Sequence, residues 1–264
     1  MPYTVSHVAA VMPGYQLLSR AHVFSAAVIG SMVPDFGLLL PRDPARVETH
    51  SLMALFTFCL PVGLVAYWLT QLLIKPALLE ALPDGPYLRL RGSHPAASLV
   101  HIKTWFTASG AILFGAFTHI LWDEFTHEDT RAGRVFPFLK DYSPDLHGHP
   151  VALWRWLQLG SSAVGLTVVL IALGVWIYHA RREQVPHTPR RIPADERLMW
   201  LCLYLVPPLV AVSWAFWRAY STGASAFEGT PGYGLGSVAV ASVRGAVVSL
   251  LFISALLKIR SART

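Results

Sequence analysis

The chain has 264 residues, 54% of them hydrophobic and only 14% charged, with a mean hydropathy of +0.47. Soluble domains carry roughly 25% charged residues, so composition excludes an ordinary soluble domain and points to an integral membrane protein. A net charge of +6 would suggest nucleic acid in a soluble chain. Here the basic residues flank apolar runs and no nucleic-acid-binding motif is present, so membrane topology accounts for them and no nucleic-acid partner is expected.

The N-terminal residues, with Tyr3, Thr4 and His7, lack the basic region of a secretory signal. They are expected to stay attached and to keep His7. Residues 5–11 and 21–40 are apolar but interrupted by Pro13-Gly14 and Pro34-Asp35. They predict two short helices, re-entrant or lying on the interface, with Asp35 at a helix end; a span across 21–40 is the alternative.

A spanning helix takes about 20 mostly apolar residues. Five runs come near that, at roughly 52–74, 106–122, 156–178, 198–217 and 235–257. Pro61 should kink the first and Pro207-Pro208 the fourth. Trp105, Trp122, Trp154, Trp156, Trp176, Trp200 and Trp217 lie near segment ends, as an interfacial belt would. Cys59 and Cys202 each sit inside an apolar run without a neighbouring partner, which argues against a disulfide framework. The expected fold is all-α, a polytopic helical bundle forming one membrane domain over 1–264.

Five spans put the loops on alternate sides. The N-terminal region with the 123–155 and 218–234 loops holds 8 Lys/Arg, and the 75–105 and 179–197 loops with the tail hold 12. The excess makes the second side cytoplasmic and turns His7, Asp35, His50 and the 119–127 stretch outward. The Pro-rich, basic 75–105 and 179–197 loops read as solvated connectors.

Chemistry concentrates at His119, Asp123 and His127, spaced four residues apart at the end of the second run. Four residues are just over one helical turn, so the side chains share a stripe. Polar groups at a membrane edge are expensive and usually functional. His119 and Asp123 can chelate one ion; the plainer reading is a hydrogen-bonded pair closing the segment. His127 lies about 12 Å along the axis from His119 at 1.5 Å per residue. It therefore serves a second ion, supports the ligands, or lies past a helix break. His7, Asp35 and His50 are the polar residues in apolar surroundings that can complete the site. Three His and two Asp suit a divalent metal, zinc first, with manganese or iron as alternatives.

Other polar residues carry weaker expectations. Arg244, near the middle of the last run, should turn into the bundle and pair with Asp35, Asp123 or a substrate phosphate. Gln158, Ser161 and Ser162 read as interhelical hydrogen bonds. Glu128, Asp129, Asp141, Asp145, His147 and His149 read as a solvated acidic loop, with an accessory-metal or lid role as the alternative. Glu124 and Glu128 read as helix-end carboxylates, with general base as the alternative. His22, His94, His101, His179 and His187 have no partner pattern.

The run Thr4-Val5-Ser6-His7-Val8-Ala9-Ala10-Val11, then Ile29-Gly30-Ser31-Met32-Val33-Pro34-Asp35-Phe36, then Thr49-His50-Ser51-Leu52, then Thr118 to His127, resembles a bacterial integral-membrane family, domain of unknown function 4184. Leu157-Gln158 and Gly160-Ser161-Ser162 follow the same pattern. That likeness implies a bacterial cytoplasmic membrane but no activity. A more distant likeness, in the order His, Pro-Asp, His-Ser, His-x-x-x-Asp, is to membrane-bound metal-dependent hydrolases, themselves likened to zinc-dependent phospholipase C. It implies metal ligands at His7, Asp35, His50, His119 and Asp123. Phospholipase C uses its free N-terminus and a second His-x-x-x-acid helix. Here His7 is not N-terminal and no second such helix is found, so one or two ions are expected rather than three.

The expected function is metal-dependent hydrolysis of an ester or phosphoester, in a lipid or otherwise, with Asp123 or Asp35 orienting the water. The alternative is a non-enzymatic metal site in a transporter or structural membrane protein.

Overall fold

Apolar runs become helices here, and prolines decide where those helices loosen. The computed structural model describes residues 4–20, 23–40, 45–83, 86–87, 101–144, 150–181, 192–221 and 235–263. Their contacts gather into two compact units, Met1–Tyr67 with Ser98–Val175, and Trp68–Ala97 with Trp176–Thr264.

The first unit begins with short pieces. A 3-10 turn at Thr4–His7 leads into α1 (Val8–Val11), and a second turn at Met12–Gly14 into α2 (Tyr15–Arg20). Then come α3 (Phe24–Gly30), a 3-10 stretch Val33–Leu39 and α4 (Arg46–Thr49). The region 21–40 is thus broken at Ser31-Met32 into two seven-residue pieces, neither near the roughly 20 residues a span needs.

A long helical run, Leu55–Ala81, follows. It consists of a π turn Leu55–Cys59, α5 (Leu60–Leu69), a π turn Thr70–Ile74 and α6 (Lys75–Ala81). Each π turn ends two residues before a proline, Pro61 and Pro76. A proline ring displaces the carbonyl four residues back, and a wider turn absorbs that displacement. The Leu60 N–H accordingly reaches the Leu55 carbonyl, and the Lys75 N–H that of Thr70. The distortion expected at Pro61 therefore takes the form of a π turn. In the second unit, the Leu72 carbonyl, which residue 76 would bond in an unbroken α-helix, accepts from Lys258 Nζ at 3.1 Å.

The first unit continues with α7 (Ile102–Thr126), 25 residues long and longer than the 106–122 run suggested. After it come α8 (Arg131–Val135), a 3-10 turn Pro137–Lys140 and α9 (Leu153–Arg181), which belongs to this unit as far as Val175. Before α9, strands β1 (Tyr142–Pro144) and β2 (Pro150–Ala152) pair antiparallel, so the described residues are all-α apart from this small ribbon. In the second unit α10 (Ala194–Ser221) runs as one helix through Pro207-Pro208 and packs along α11 (Leu235–Arg263). Ser249 Oγ donates to the Tyr204 carbonyl across that pair, and Arg260 bridges to Glu196 at 2.6 Å.

Among the described residues three helical runs are long and apolar enough to cross a membrane: Leu55–Ala81, Ile102–Val135 and Leu153–Ala180. They coincide with the first three expected spans; α10 and α11 occupy the positions of the fourth and fifth.

One packing detail positions the site. Gly30 of α3 and Gly115 of α7 face each other so closely that a methyl at Gly30 would strike the Ile112 backbone, and one at Gly115 would lie 2.6 Å from Ser31 N. The Ala27 carbonyl also lies against Gly115, and Ala26, Ala27, Ala108 and Ala111 of the two helices are buried. At Gly165 of α9 a methyl would stand 2.7 Å from the Ser6 carbonyl, so α9 presses on the turn that carries His7.

Candidate metal centre

His119 and Asp123 sit one turn apart near the end of α7, both buried. The helix stops at Thr126. His127 is its C-cap, with extended backbone at φ −135°, ψ 157°, so it leaves the stripe and folds back. Its Nδ1 lies 3.3 Å from the Asp123 carbonyl and 3.5 Å from Asp123 Oδ1, and its Nε2 lies 3.2 Å from Gln158 Nε2. Arg155, which can only donate, bonds Gln158 Oε1, and that fixes the amide with its NH₂ toward His127. His127 Nε2 therefore accepts, and its proton sits on Nδ1 facing Asp123. Of the three roles the sequence left open, this geometry matches support of a ligand past a helix break.

Three further segments bring their polar groups to the same place. His7 comes from the N-terminal turn, and its Nε2 is 3.6 Å from Asp123 Oδ1. Its ring stacks on that of His119, centroids 3.7 Å apart. Asp35, in the first turn of Val33–Leu39, holds its Oδ1 3.3 Å from His50 Nε2 and 3.7 Å from His119 Nε2. Thr4 donates to its Oδ2 at 2.7 Å. His50, just past α4, places its Nε2 3.5 Å from Asp123 Oδ2, the oxygen that lies 3.6 Å from His119 Nε2. His7, Asp35, His50, His119 and Asp123 thus converge. Two trios within them, His7–His119–Asp123 and Asp35–His50–His119, have donor atoms all within 4.8 Å of one another.

Hydrogen bonds on the far side of the rings leave the inner nitrogens free to donate electron pairs. His119 Nδ1 is 2.7 Å from the Ser31 carbonyl, which can only accept, so the proton is on Nδ1. His50 Nδ1 is 2.7 Å from Thr49 Oγ1, which itself donates to the Arg46 carbonyl. The Nε2 atoms of His7, His50 and His119, and Asp123 Oδ1, are buried without a hydrogen-bond partner. An unsatisfied buried polar atom costs about 1–3 kcal/mol. The 3.3–3.7 Å separations exceed good hydrogen bonds, yet two donors about 2.1 Å from one tetrahedral ion lie about 3.4 Å apart. The donor set and its spacing therefore fit a divalent cation.

Protonation agrees. Burial, aided by the neighbouring His119, pushes His7 down to about 4, and burial likewise lowers His50. Burial alone would raise Asp35, but its contact with His50, the adjacent His119 ring and the Thr4 hydroxyl outweigh it and hold the carboxyl below its ordinary value. At neutral pH His7 and His50 are neutral and Asp35 ionised, the forms that bind metal.

The sequence reading missed Arg46. Its Nη2 donates to Asp123 Oδ2 at 2.8 Å, and its side chain is 42% exposed, whereas His7, Asp35, His50, His119 and Asp123 are at most 9% exposed. Its place four residues before His50 was the available signal. Thr4, Thr49 and the Ser31 carbonyl were missed too; a backbone carbonyl leaves no trace in sequence. Arg244 lies on α11 in the second unit and is exposed. Glu124 Oε2 accepts the Ala132 N–H and so closes the start of α8. Gln158 and Ser161 do bond across helices, to His127 and to Trp122 Nε1, whereas Ser162 bonds the Gln158 carbonyl within α9. Glu128 and Asp129 are exposed; Asp145, His147, His149, His22, His94 and His187 lie outside the described residues.

No curated relative and no solved structure matches the chain. The sequence profile of a domain of unknown function (DUF4184) matches residues 1–255, nearly the whole length and every member of the centre. The chain belongs to the DUF4184 family.

Proposed function

We propose that this chain is a membrane-bound, metal-dependent hydrolase acting on an ester or phosphoester, of a lipid or otherwise. One observation carries the reading: three buried, unpartnered imidazole nitrogens face two carboxylates at 3.3–3.7 Å. His7, His50, His119, Asp35 and Asp123 would hold one or two divalent ions, zinc first, with manganese or iron as alternatives. Such an ion supplies Lewis acidity to a phosphoryl or ester oxygen and to water. Asp35 and Asp123 are the carboxylates in reach of a water proton. Thr4 orients Asp35, and His127, backed by Gln158, orients Asp123. The half-exposed Arg46 marks the side from which substrate enters.

Five spans, with the centre near an outer membrane face, follow from hydropathy and the 12-to-8 bias in basic residues. A site there would receive lipid head groups without extracting them. Reporter fusions at Thr188 and Gly229 test this orientation; a cytoplasmic readout at Gly229 overturns it.

A second reading, a non-enzymatic metal site in a transporter or structural protein, is favoured by the burial of the donors. Five protein donors suffice to enclose a single ion, whereas a catalytic site keeps a position open. The experiment is turnover by metal-loaded protein against a panel of phosphoesters and lipids, with Asp35→Asn as control. Release of head group or phosphate that Asp35→Asn abolishes is expected. Bound metal without turnover on any member favours the second reading.

A further inference from the structure

Resting on the hydrolase reading, one residue carries an inference about the substrate. Arg46 is the exposed member of an otherwise buried centre. Asp123 is its acidic partner among the described residues, and that bond uses Nη2 alone. A guanidinium has five N–H donors in a planar fork, so most of the fork remains for another acceptor. The short helix Arg46–Thr49 sets Arg46 and the adjoining His50 on the same oxygen, Asp123 Oδ2.

The charge balance fixes the class of that acceptor. Asp35, Asp123 and Arg46 sum to −1 when the three imidazoles are neutral, as metal ligands must be. One divalent ion turns the sum to +1, and two make it more positive. A loaded centre with an arginine fork at its mouth recognises an anion, and a fork matches the paired oxygens of a tetrahedral phosphate.

We propose that Arg46 is the substrate-binding residue for a phosphate group, so that the substrates are phosphate esters and not neutral carboxylic esters. The phosphate comes either from a lipid head group or from a soluble ester.

The test uses full-length protein in detergent, loaded with metal and freed of excess, titrated with inorganic phosphate by calorimetry while bound metal is counted. The wild type is expected to bind phosphate only when loaded. Arg46→Ala should keep its ions and bind phosphate at least about tenfold more weakly, with Arg46→Lys between, since a charge-assisted fork is lost in steps. Equal affinity in Arg46→Ala overturns the proposal. So does loss of metal together with phosphate, which would make Arg46 a clamp on Asp123. Should Arg46→Ala fail to fold, unchanged phosphate affinity in Arg46→Lys overturns it equally. Competition by glycerol phosphate or by short-chain phosphatidic acid supports it and tells soluble from lipid source; displacement by neither contradicts it. A loaded wild type that ignores phosphate ends this proposal alone, whereas a wild type that takes up no metal ends the hydrolase reading with it.

Discussion

Replacing Gly115 with alanine tests whether helix packing, and not the ligands alone, builds the centre. The added methyl would stand 2.6 Å from Ser31 N and closer still to the Ala27 carbonyl, where ordinary contact begins near 3.4 Å. Backbone atoms cannot swing aside, so α3 and α7 must separate by about 0.8 Å or more, and overpacking of this kind costs about 1–3 kcal/mol. The Ser31 carbonyl moves with α3, and its 2.7 Å bond to His119 Nδ1 stretches out of range, losing about 0.5–1.5 kcal/mol more. The sum is about 1.5–4.5 kcal/mol. Loss of a partner behind a metal-binding histidine weakens affinity about 10- to 100-fold. Gly110→Ala on the same helix is the control: nothing lies within 4 Å of its added methyl, and its stability should stay within about 1 kcal/mol. Thermal unfolding in detergent, with metal titrated by chelator competition, reads both effects. If the two variants unfold alike and bind metal alike, the packing argument is wrong.

Further outcomes follow from the same geometry. In metal-free protein, the unfolded chain takes up the His7 proton below about 6.5 while the folded chain waits until about 4. Stability therefore falls as pH drops through that window, by about 3 kcal/mol from His7 at 1.36 kcal/mol per unit. Denaturant midpoints at pH 7 and pH 4 should show this loss in wild type and not in His7→Gln; parallel losses would refute it. Gln158→Leu removes the amide that holds His127 on Asp123 and should weaken metal binding about 10- to 100-fold while the fold persists. Unchanged affinity would show that His127 does not position Asp123.

The elements legible in sequence were those written in periodicity and composition. The first three apolar runs reappear as helices long enough to cross a membrane, and the break in 21–40 followed from Pro34 and the polar residues beside it. His119 and Asp123 were legible because a turn of helix is local. The convergence of His7, Asp35 and His50 on them was not, because it depends on glycine contacts at residues 30, 115 and 165, which carry no side chain to mark them. Axial distance set His127 apart from His119 on an unbroken helix, but its return to Asp123 depends on the helix end at Thr126, which spacing does not show. Arg46 escaped notice because an arginine in a polar stretch looks like solvated charge, and its ion pair spans 77 residues of sequence. Arg244 drew attention because of its apolar surroundings, yet it is exposed.

The central claim is that five side chains from four segments hold a metal through His119. Elemental analysis of purified wild type and His119→Ala tests it most directly. The account predicts at least one divalent ion per chain in the wild type and its loss in His119→Ala, with both proteins folded. Metal-free protein in both, or equal metal in both, would contradict it.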